Sequence, residues 1–537
     1  MADTPSTGSP APATSADSTV RERSVTAARI IAPLLLAVLM LRIAWMGDDA
    51  MITLRALLNL THGWGPGFNA FEAVQSSTHP LWFLLWMAVG SVTGDWIVPI
   101  LVLSVVLSAT AVFLILRRVR SLAAIIAVTG GLALSNAFME YSTSGLENPL
   151  AYFLIAVLLA ISTRQQPTTP TVSALTGLVF AGVVLTRFDL AVIVAPIALL
   201  WAWSNRHRVR MLAAAAGALA LPLVVWFTWS WFTYSALLPN TLAAKQNSTV
   251  PRIEFIVQGL RYLWVSIEHD PVTLLLLIAG LLAAFLTRDL VLRAWMLGAG
   301  LYLLYVVWIG GDFMAGRFLA VPAFIAAAVF GIVLGQTTAE RSGRDAVLAG
   351  LGVPALALTI AAMGVPATSI SPPSEPRWNF GDTAGISDEY GYHLLYSRDL
   401  QEVVMGLGKP LSVPPYQQAD QIDPAVTLST LRSAAANWPT APPEGPGLPS
   451  AVVPQYGFLG TTGLLVGPSV HLVDRYALTD RFLSSQPYSA LPFQWRPGHF
   501  DRAIPEGYLE AVAANDPTLV TDPLLRSQLQ QLWSAIR

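Results

Sequence analysis

Long apolar runs separated by short polar segments fill the first two thirds of the chain. A membrane-spanning helix needs about 20 predominantly apolar residues. Eleven runs meet this requirement, near 27–46, 96–116, 121–140, 149–163, 171–186, 190–204, 210–232, 271–287, 291–309, 318–335 and 345–364. A further apolar run at 79–94 is short for a span, which favours a helix at the membrane surface. The pattern predicts an α-helical polytopic membrane protein with about eleven transmembrane helices.

Composition agrees with this prediction. Of the 537 residues, 54% are hydrophobic and only 12% are charged, which is too apolar for an ordinary soluble enzyme. The net charge of −2 creates no basic field, so nucleic acid is not an expected partner. Cysteine is absent, which excludes disulfides and thiolate metal sites.

Basic residues concentrate in alternate connecting segments, and this distribution predicts the orientation. The basic segments are "RERSVTAAR", "RRVRS", "STRQQ", "SNRHRVR", "TRDLVLR" and "ERSGR". By the positive-inside rule they are cytoplasmic, so the other loops face outward from the plasma (inner) membrane. Residues 1–26 are rich in Ala, Pro, Ser and Thr and are predicted to be a disordered cytoplasmic tail rather than a signal peptide.

Composition shifts after the last apolar run. Residues 27–369 are predicted to form the transmembrane domain, with 47–95 as its first outer loop. From 370 to 537 the chain is Pro-rich and polar with short apolar runs, which predicts a soluble, extracytoplasmic domain of mixed α/β structure.

The predicted outer loops collect most of the ionisable residues that lie outside the basic turns. These candidates are Asp48, Asp49, Arg55, Glu72, His79, Glu147, Arg187, Asp189, Lys245, Asp312 and Arg317, with Asn240 in the fourth loop. Ionisable groups at the edge of hydrocarbon are costly and are functional or paired by default. Cations suit a phosphate, whereas carboxylates suit a divalent cation, sugar hydroxyls or a general base. The loops therefore predict one polar site on the outer face.

Asp48 and Asp49 stand side by side where the first span ends. Neighbours on a helix point about 100° apart, so the two carboxylates cannot share one direction. One could accept a proton while the other holds a divalent cation, Mg²⁺ or Mn²⁺, or orients its neighbour. Alternatively, both acids simply stabilise the start of the helix at 50–60, and the two interpretations are compatible.

With these loops in place, the chain resembles the GT-C superfamily of polyprenyl-phosphate-sugar glycosyltransferases. More narrowly, it resembles the actinobacterial arabinofuranosyltransferase group that includes the terminal β-(1→2) enzymes. The matching strings are Asp48-Asp49-Ala50, "LRALLNLTHGWGPGFNAFEAVQSSTHPLW", "SGLENPL", "LTRFD", "LPNTLAAK", "GGDFMAGRF", "VDRYALTD" and "RPGH". Each string is weak alone, but their order extends essentially along the whole chain.

The resemblance implies transfer of a sugar, arabinofuranose, from a decaprenyl-phosphate donor to a cell-wall polysaccharide at the outer face. It implies that Asp48 and Asp49 are the catalytic pair. On the matching motifs we assign Glu147, Asp189 and Asp312 to the sugar, and we assign Arg187, Lys245 and Arg317 to the lipid phosphate. Further site candidates are Arg55, His79, Asn240 and His499. No glycine-rich nucleotide loop is evident, so neither a nucleotide nor an organic cofactor is expected.

Other functions remain compatible with the sequence. The transferred sugar could be mannose or another sugar from a polyprenyl phosphate. A transporter or flippase, or a non-catalytic protein of the cell envelope, would also place charges in membrane loops. The stereochemical course of the transfer stays open.

Overall fold

The protein is described from a computed structural model. The described residues are 15–163, 169–247, 249–339, 367–369, 377, 385–393, 428–445, 447–455, 457–488, 496 and 498–536. Fifteen helices occupy the described residues as far as 339: α1 Ser15–Arg42, α2 Asp48–Thr61, α3 Pro80–Thr93, α4 Val98–Leu116, α5 Leu122–Leu134, α6 Asn136–Glu140, α7 Asn148–Ser162, α8 Pro170–Thr186, α9 Ala191–Ser204, α10 Val209–Tyr234, α11 Asn240–Gln246, α12 Arg252–His269, α13 Pro271–Leu286, α14 Leu290–Ile309 and α15 Arg317–Ala339. The prediction of a mostly helical protein with several apolar helices is confirmed.

Judged by helix length, the described residues contain fewer possible membrane spans than the eleven predicted. Within the described residues, five helical stretches are long and apolar enough to span a membrane: Glu22–Arg42, Val98–Leu116, Val209–Tyr234, Leu290–Ile309 and Arg317–Thr337. A sixth is added if α12 and α13, bent by 107° at Asp270, count as one span. Several other predicted spans form apolar helices shorter than 18 residues, and 345–364 lies outside the described residues. The count of eleven is not confirmed.

Part of the predicted N-terminal tail is helical. Helix α1 begins at Ser15, so residues 15–26 of the predicted disordered tail are helical, whereas residues 1–14 lie outside the described residues. The segment contains Ala, Arg and Glu, which favour helix, and it continues directly into the apolar span. Propagation from that span stabilises helix in a polar segment that would not form one alone.

The short apolar run at 79–94 forms helix α3, as expected for a helix that closes the first outer loop. Proline at its first position lacks the N–H that would be unpaired there. Gly94 ends it in the left-handed region with φ 70°. Inside the helix, a Cβ at Gly90 would lie 2.1 Å from the Trp96 ring, so glycine permits this close packing.

The C-terminal region combines helices with a two-stranded parallel sheet. Strands β1 Ala451–Gln455 and β2 Val470–Asp474 pair with Ala451 opposite Val470. Its described helices are Leu428–Ala436, Leu459–Val466, Arg481–Ser485, Tyr508–Ala514 and Pro523–Ile536. Val74 and Ala244, from two of the outer loops, lie in the same hydrophobic cluster as Tyr508 and Trp533. This region therefore shares its core with the loops that carry the candidate site.

Candidate active site

One large cavity lies where the predicted outer loops meet, and its volume is about 910 Å³. Most of the predicted site residues line it: Asp49, His79, Arg187, Asp189, Lys245, Asp312, Arg317 and His499. Apolar residues form another part of the wall, including Leu238, Leu242, Phe255, Trp308 and Ile309. The convergence of the loops on one site agrees with the sequence analysis, and the cavity has both a charged wall and an apolar wall.

Glu147 lies behind the charged wall and is completely buried. It precedes α7, and its Oε1 accepts from Arg187 Nη1 at 3.1 Å and from Arg317 Nη2 at 3.3 Å. Oε2 lies 3.3 Å from His79 Nδ1. Burial alone would raise the pKa of Glu147, but Arg317, His79 and Arg187 outweigh it and hold the pKa at about 2. Glu147 is therefore a fixed anion that keeps two arginines at the cavity wall.

Arg187 is held in place by a second carboxylate. Helix α8 ends at Thr186, and the extended backbone at Arg187 turns its side chain toward Asp189, to which Nε and Nη2 donate at 3.0 and 2.6 Å. Tyr302 donates its hydroxyl to the same carboxylate at 2.9 Å. Such a bidentate pair fixes the plane of the guanidinium, so Asp189 orients Arg187.

Arg317 begins α15 and faces three carboxylates. Besides Glu147, its Nη1 lies 3.5 Å from Asp49 Oδ2 and 3.7 Å from Asp312 Oδ2. The Asp49 side chain is 27% exposed, against 2% for Asp312. Burial raises the pKa of Asp49 to about 6, although Arg317 and Lys245 oppose this shift. Asp49 is thus an accessible carboxylate with a pKa suited to accept a proton near neutral pH.

Asp48 has a different environment, although it is the next residue. Its two oxygens accept from the backbone N–H groups of Gly460 at 3.0 Å and Thr461 at 2.8 Å. These amides belong to the first turn of helix Leu459–Val466, where unpaired N–H groups favour an anion. Asp48 does not line the cavity. Both acids lie in the first turn of α2, where negative charge is favoured, but the N-cap of this helix is Gly47 and not either acid.

Arg55 and Asn240, two other candidates, also lie away from the cavity wall. Arg55 is completely buried and donates to three carbonyls, those of Phe68, Gly463 and Val470, at 2.6–2.8 Å. Asn240 donates its side-chain amide to the carbonyl of Ala477 at 2.8 Å. Both residues join outer loops to the C-terminal region through backbone groups.

Lys245 and His499 line the cavity and come from segments that are far apart in the chain. Lys245 lies in the last turn of α11, and within the described ranges no carboxylate forms an ion pair with it. Gly498 has φ 75°, and a Cβ there would lie 3.1 Å from Lys245 Nζ, so the glycine leaves room for the ammonium group. His499 packs edge-on against Phe313 with ring centroids 4.3 Å apart. Lys245 is therefore placed to bind an anion that enters the cavity.

The carboxylates of the site are candidate ligands for a metal ion. Among the described residues, no group of three or more His, Asp or Glu side chains is placed to hold a metal ion. Both oxygens of Asp48 are occupied by backbone amides, and Asp49 and Asp312 face the cation Arg317. This donor set does not fit a divalent cation held by the protein alone, and the Mg²⁺ or Mn²⁺ stays a prediction.

Sequence analysis missed two features of this site. Thr53 lines the cavity one helical turn after Asp49 and contacts His79, and the i,i+4 spacing on α2 could have identified it. Helix α12 contributes Arg252 and Phe255 to the wall. The amphipathic pattern "RIEFIVQGLRYLWVSIEH" is the sequence signal that could have identified this helix.

Apolar helices around a cavity with one charged and one apolar wall are typical of a membrane protein that handles an amphiphilic ligand. Two curated relatives are terminal β-(1→2)-arabinofuranosyltransferases. The one from Corynebacterium glutamicum is 30% identical over 329 residues, covering 52% of this chain and 46% of the relative. The one from Mycobacterium tuberculosis is 28% identical over 339 residues, covering 54% of this chain and 52% of the relative. The chain thus spans about half the length of these relatives, and they confirm the resemblance to arabinofuranosyltransferases.

Two further comparisons were made. No protein-family model matches the chain. The crystal structure of ArnT from Cupriavidus metallidurans bound to undecaprenyl phosphate matches 83% of this chain and 85% of that chain, with 12% sequence identity and a TM-score of 0.45.

Proposed function

We propose that the protein is a membrane glycosyltransferase of the GT-C type that transfers a sugar, arabinofuranose, from a polyprenyl-phosphate donor, decaprenyl phosphate, to a cell-wall polysaccharide. The observation that carries the proposal is the position of Asp49, an accessible carboxylate, next to Arg317 in a cavity that Lys245 also lines. A proton acceptor beside cations suits the displacement of a phosphate by a hydroxyl. The names of the two curated relatives support the same reaction class.

In the proposed reaction the donor phosphate lies against Lys245 and Arg317. Their charges stabilise the negative charge that develops on the phosphate oxygen as its bond to the anomeric carbon breaks. Asp49 accepts the proton of the acceptor hydroxyl, whose oxygen forms the new bond to that carbon. Glu147 holds the guanidinium groups of Arg187 and Arg317 in place, so little reorganisation is needed during the reaction.

The apolar wall suits the isoprenoid chain of such a donor. Leu238, Leu242 and Trp308 line the cavity and are 39–53% exposed. In a membrane, apolar side chains that are both exposed and continuous with a polar cavity provide a route from the bilayer. The chain of the donor would lie along this wall while its phosphate reaches Lys245.

The basic loops support the proposed orientation. By the positive-inside rule, the cavity and the C-terminal region face the outside of the plasma membrane, and the N-terminus is cytoplasmic. Donor and acceptor would then meet at the outer leaflet.

The test replaces Asp49 with Asn and measures transfer from a polyprenyl-phosphate sugar in isolated membranes. We expect a loss of about 10²- to 10⁴-fold in kcat, the usual contribution of a general base. Asp48→Asn is the matched control, because it removes the same charge one residue away while leaving an oxygen for the helix amides. Full activity of Asp49→Asn at a normal protein level would overturn the assignment.

Sugar identity requires its own comparison. Arabinofuranosyl and mannosyl polyprenyl phosphates should be offered to the same membranes, and the product glycan analysed by mass spectrometry. We expect a gain of one pentose unit on an arabinan acceptor. Preferential hexose transfer would instead favour the mannosyltransferase alternative.

A further inference from the structure

Three side chains form a row of close polar contacts that ends at the cavity. Thr53 Oγ1 lies 2.9 Å from His79 Nε2, and His79 Nδ1 lies 3.3 Å from Glu147 Oε2. All three residues are at least 95% buried, yet Thr53 and His79 line the cavity. A hydroxyl, an imidazole and a carboxylate in this order form an arrangement in which each group orients the next.

The surroundings fix which atoms carry protons in this row. Burial lowers the pKa of His79 to about 4, with Arg317 and Arg187 adding to this effect and Glu147 opposing it. His79 is therefore neutral near pH 7 and has a single N–H. That proton belongs on Nδ1, which faces the Glu147 anion; the hydroxyl of Thr78 lies 3.3 Å from the same nitrogen.

The remaining nitrogen then controls Thr53. Nε2 of the neutral ring has a lone pair and accepts the hydroxyl proton of Thr53. Because its only proton is used, Thr53 presents oxygen lone pairs and cannot donate to a ligand. A group that binds Thr53 from the cavity must therefore be a hydrogen-bond donor.

Thr53 also occupies a defined position relative to the proposed base. It follows Asp49 by one turn on α2, so the two side chains lie on the same face of the helix and both line the cavity. Side chains four positions apart on a helix have Cβ atoms about 5–6 Å apart, which is within the span of one sugar ring. A sugar with one hydroxyl near Asp49 can therefore offer another to Thr53.

Building on the proposed function, we propose that Thr53 is a sugar-binding residue that accepts a hydrogen bond from one hydroxyl of the donor or acceptor sugar. His79 and Glu147 are positioning residues that keep the Thr53 proton turned away from the cavity. A site that hydrogen-bonds a substrate hydroxyl discriminates strongly against the analogue that lacks it. Thr53 would thus help to select the sugar.

The experiment pairs substrate deletion with residue deletion. Donors lacking the 2-, 3- or 5-hydroxyl of the sugar, and acceptor oligosaccharides lacking one hydroxyl at a time other than the one that is glycosylated, are compared by kcat/KM with the parent compounds. In the unmodified protein we expect one deoxy compound to react about 10- to 100-fold more slowly. Thr53→Val keeps the side-chain shape. Its kcat/KM for the parent compound should fall to the value that the unmodified protein has for that deoxy compound. Whether the sensitive compound is a donor or an acceptor identifies which sugar Thr53 contacts.

Two conservative variants separate binding from folding. Thr53→Ser retains the hydroxyl and should retain the discrimination. In His79→Gln, the side-chain amide can donate to Glu147 and accept from Thr53, so this variant should also retain the discrimination. His79→Leu can do neither and should lose the discrimination. A merely structural role would lower the rates for all compounds equally and leave their ratios unchanged.

The outcomes also distinguish this inference from the proposed function. If the unmodified protein transfers sugar but Thr53→Val keeps the full discrimination, Thr53 does not bind the hydroxyl and the inference is wrong. If Thr53→Val does not fold, retained discrimination in His79→Leu overturns the inference in its place. If the unmodified protein transfers no sugar from any polyprenyl phosphate, the proposed function itself fails.

Discussion

Two groups of buried polar residues differ in what they face. The ion cluster, around Glu147, Arg187 and Arg317, joins charged side chains to one another at the cavity wall. The junction, formed by Asp48, Arg55 and Asn240, joins side chains to backbone groups of the C-terminal region. All these residues come from similar predicted outer loops, yet only the ion cluster adjoins a space that a ligand can enter.

The difference shows how a buried charge is compensated in each place. In the ion cluster, guanidinium groups balance carboxylates, and some carboxylate oxygens have no hydrogen-bond partner, as for Asp312 Oδ2. At the junction, the side chains pair mainly with backbone amides and carbonyls, which favours rigid attachment over ligand binding. A charged residue in an outer loop is therefore not by itself evidence of catalysis.

The largest expected effect comes from removing the anion at the centre of the ion cluster. Glu147→Gln removes the carboxylate that Arg187 and Arg317 share, and breaking these two buried ion pairs should destabilise the protein by about 3–5 kcal/mol. Thermal unfolding in detergent and the yield of folded protein measure this loss of stability. Glu510→Gln, at an exposed position, serves as the control. Equal stability of the two variants would show that the cluster is not held by Glu147.

Arg55→Met tests the junction in the same way. It removes the Arg55 donor from three carbonyls, of which that of Phe68 keeps Asn59 Nδ2 as a donor. A buried group left unsatisfied costs about 1–3 kcal/mol. We expect faster proteolysis of the C-terminal region, because this contact joins α2 to Gly463 and Val470. Arg475→Met is the control, since its ion pair with Asp501 is partly exposed and such pairs contribute little. Similar proteolysis of both variants would contradict this role of Arg55.

Activity should also depend on pH through the proposed base. The pKa of Asp49 is raised to about 6 by burial, so Asp49 is ionised above this pH and protonated below it. A base is lost on protonation, and kcat/KM should therefore fall about tenfold per pH unit below pH 6. Rates measured from pH 4.5 to 8, with stability followed in parallel, provide the test. A flat profile between pH 5 and 7 would exclude Asp49 as the base.

The sequence was informative where the pattern is local. Apolar runs predicted helices, and charges in consecutive loops predicted that Asp49, Lys245 and Arg317 would share one site, as they do in the cavity. It was uninformative about long-range partners, because Asp48 meets Thr461 across 413 positions of the chain. No local pattern encodes such a contact, and the difference between the two adjacent acids follows from it.

Asp48→Ala should have the smallest effect and tests the comparison most closely. Alanine removes both acceptors from the first turn of helix Leu459–Val466, which for a helix-capping side chain costs about 1 kcal/mol. Because Asp48 does not line the cavity, kcat should stay within about threefold of the unmodified protein, a change below the tenfold that 1.36 kcal/mol produces. Thermal unfolding and initial rates at saturating donor, measured on one preparation, separate the two effects. A loss of kcat as large as that of Asp49→Asn, with an unchanged unfolding temperature, would place Asp48 in the chemistry and remove the distinction between the ion cluster and the junction.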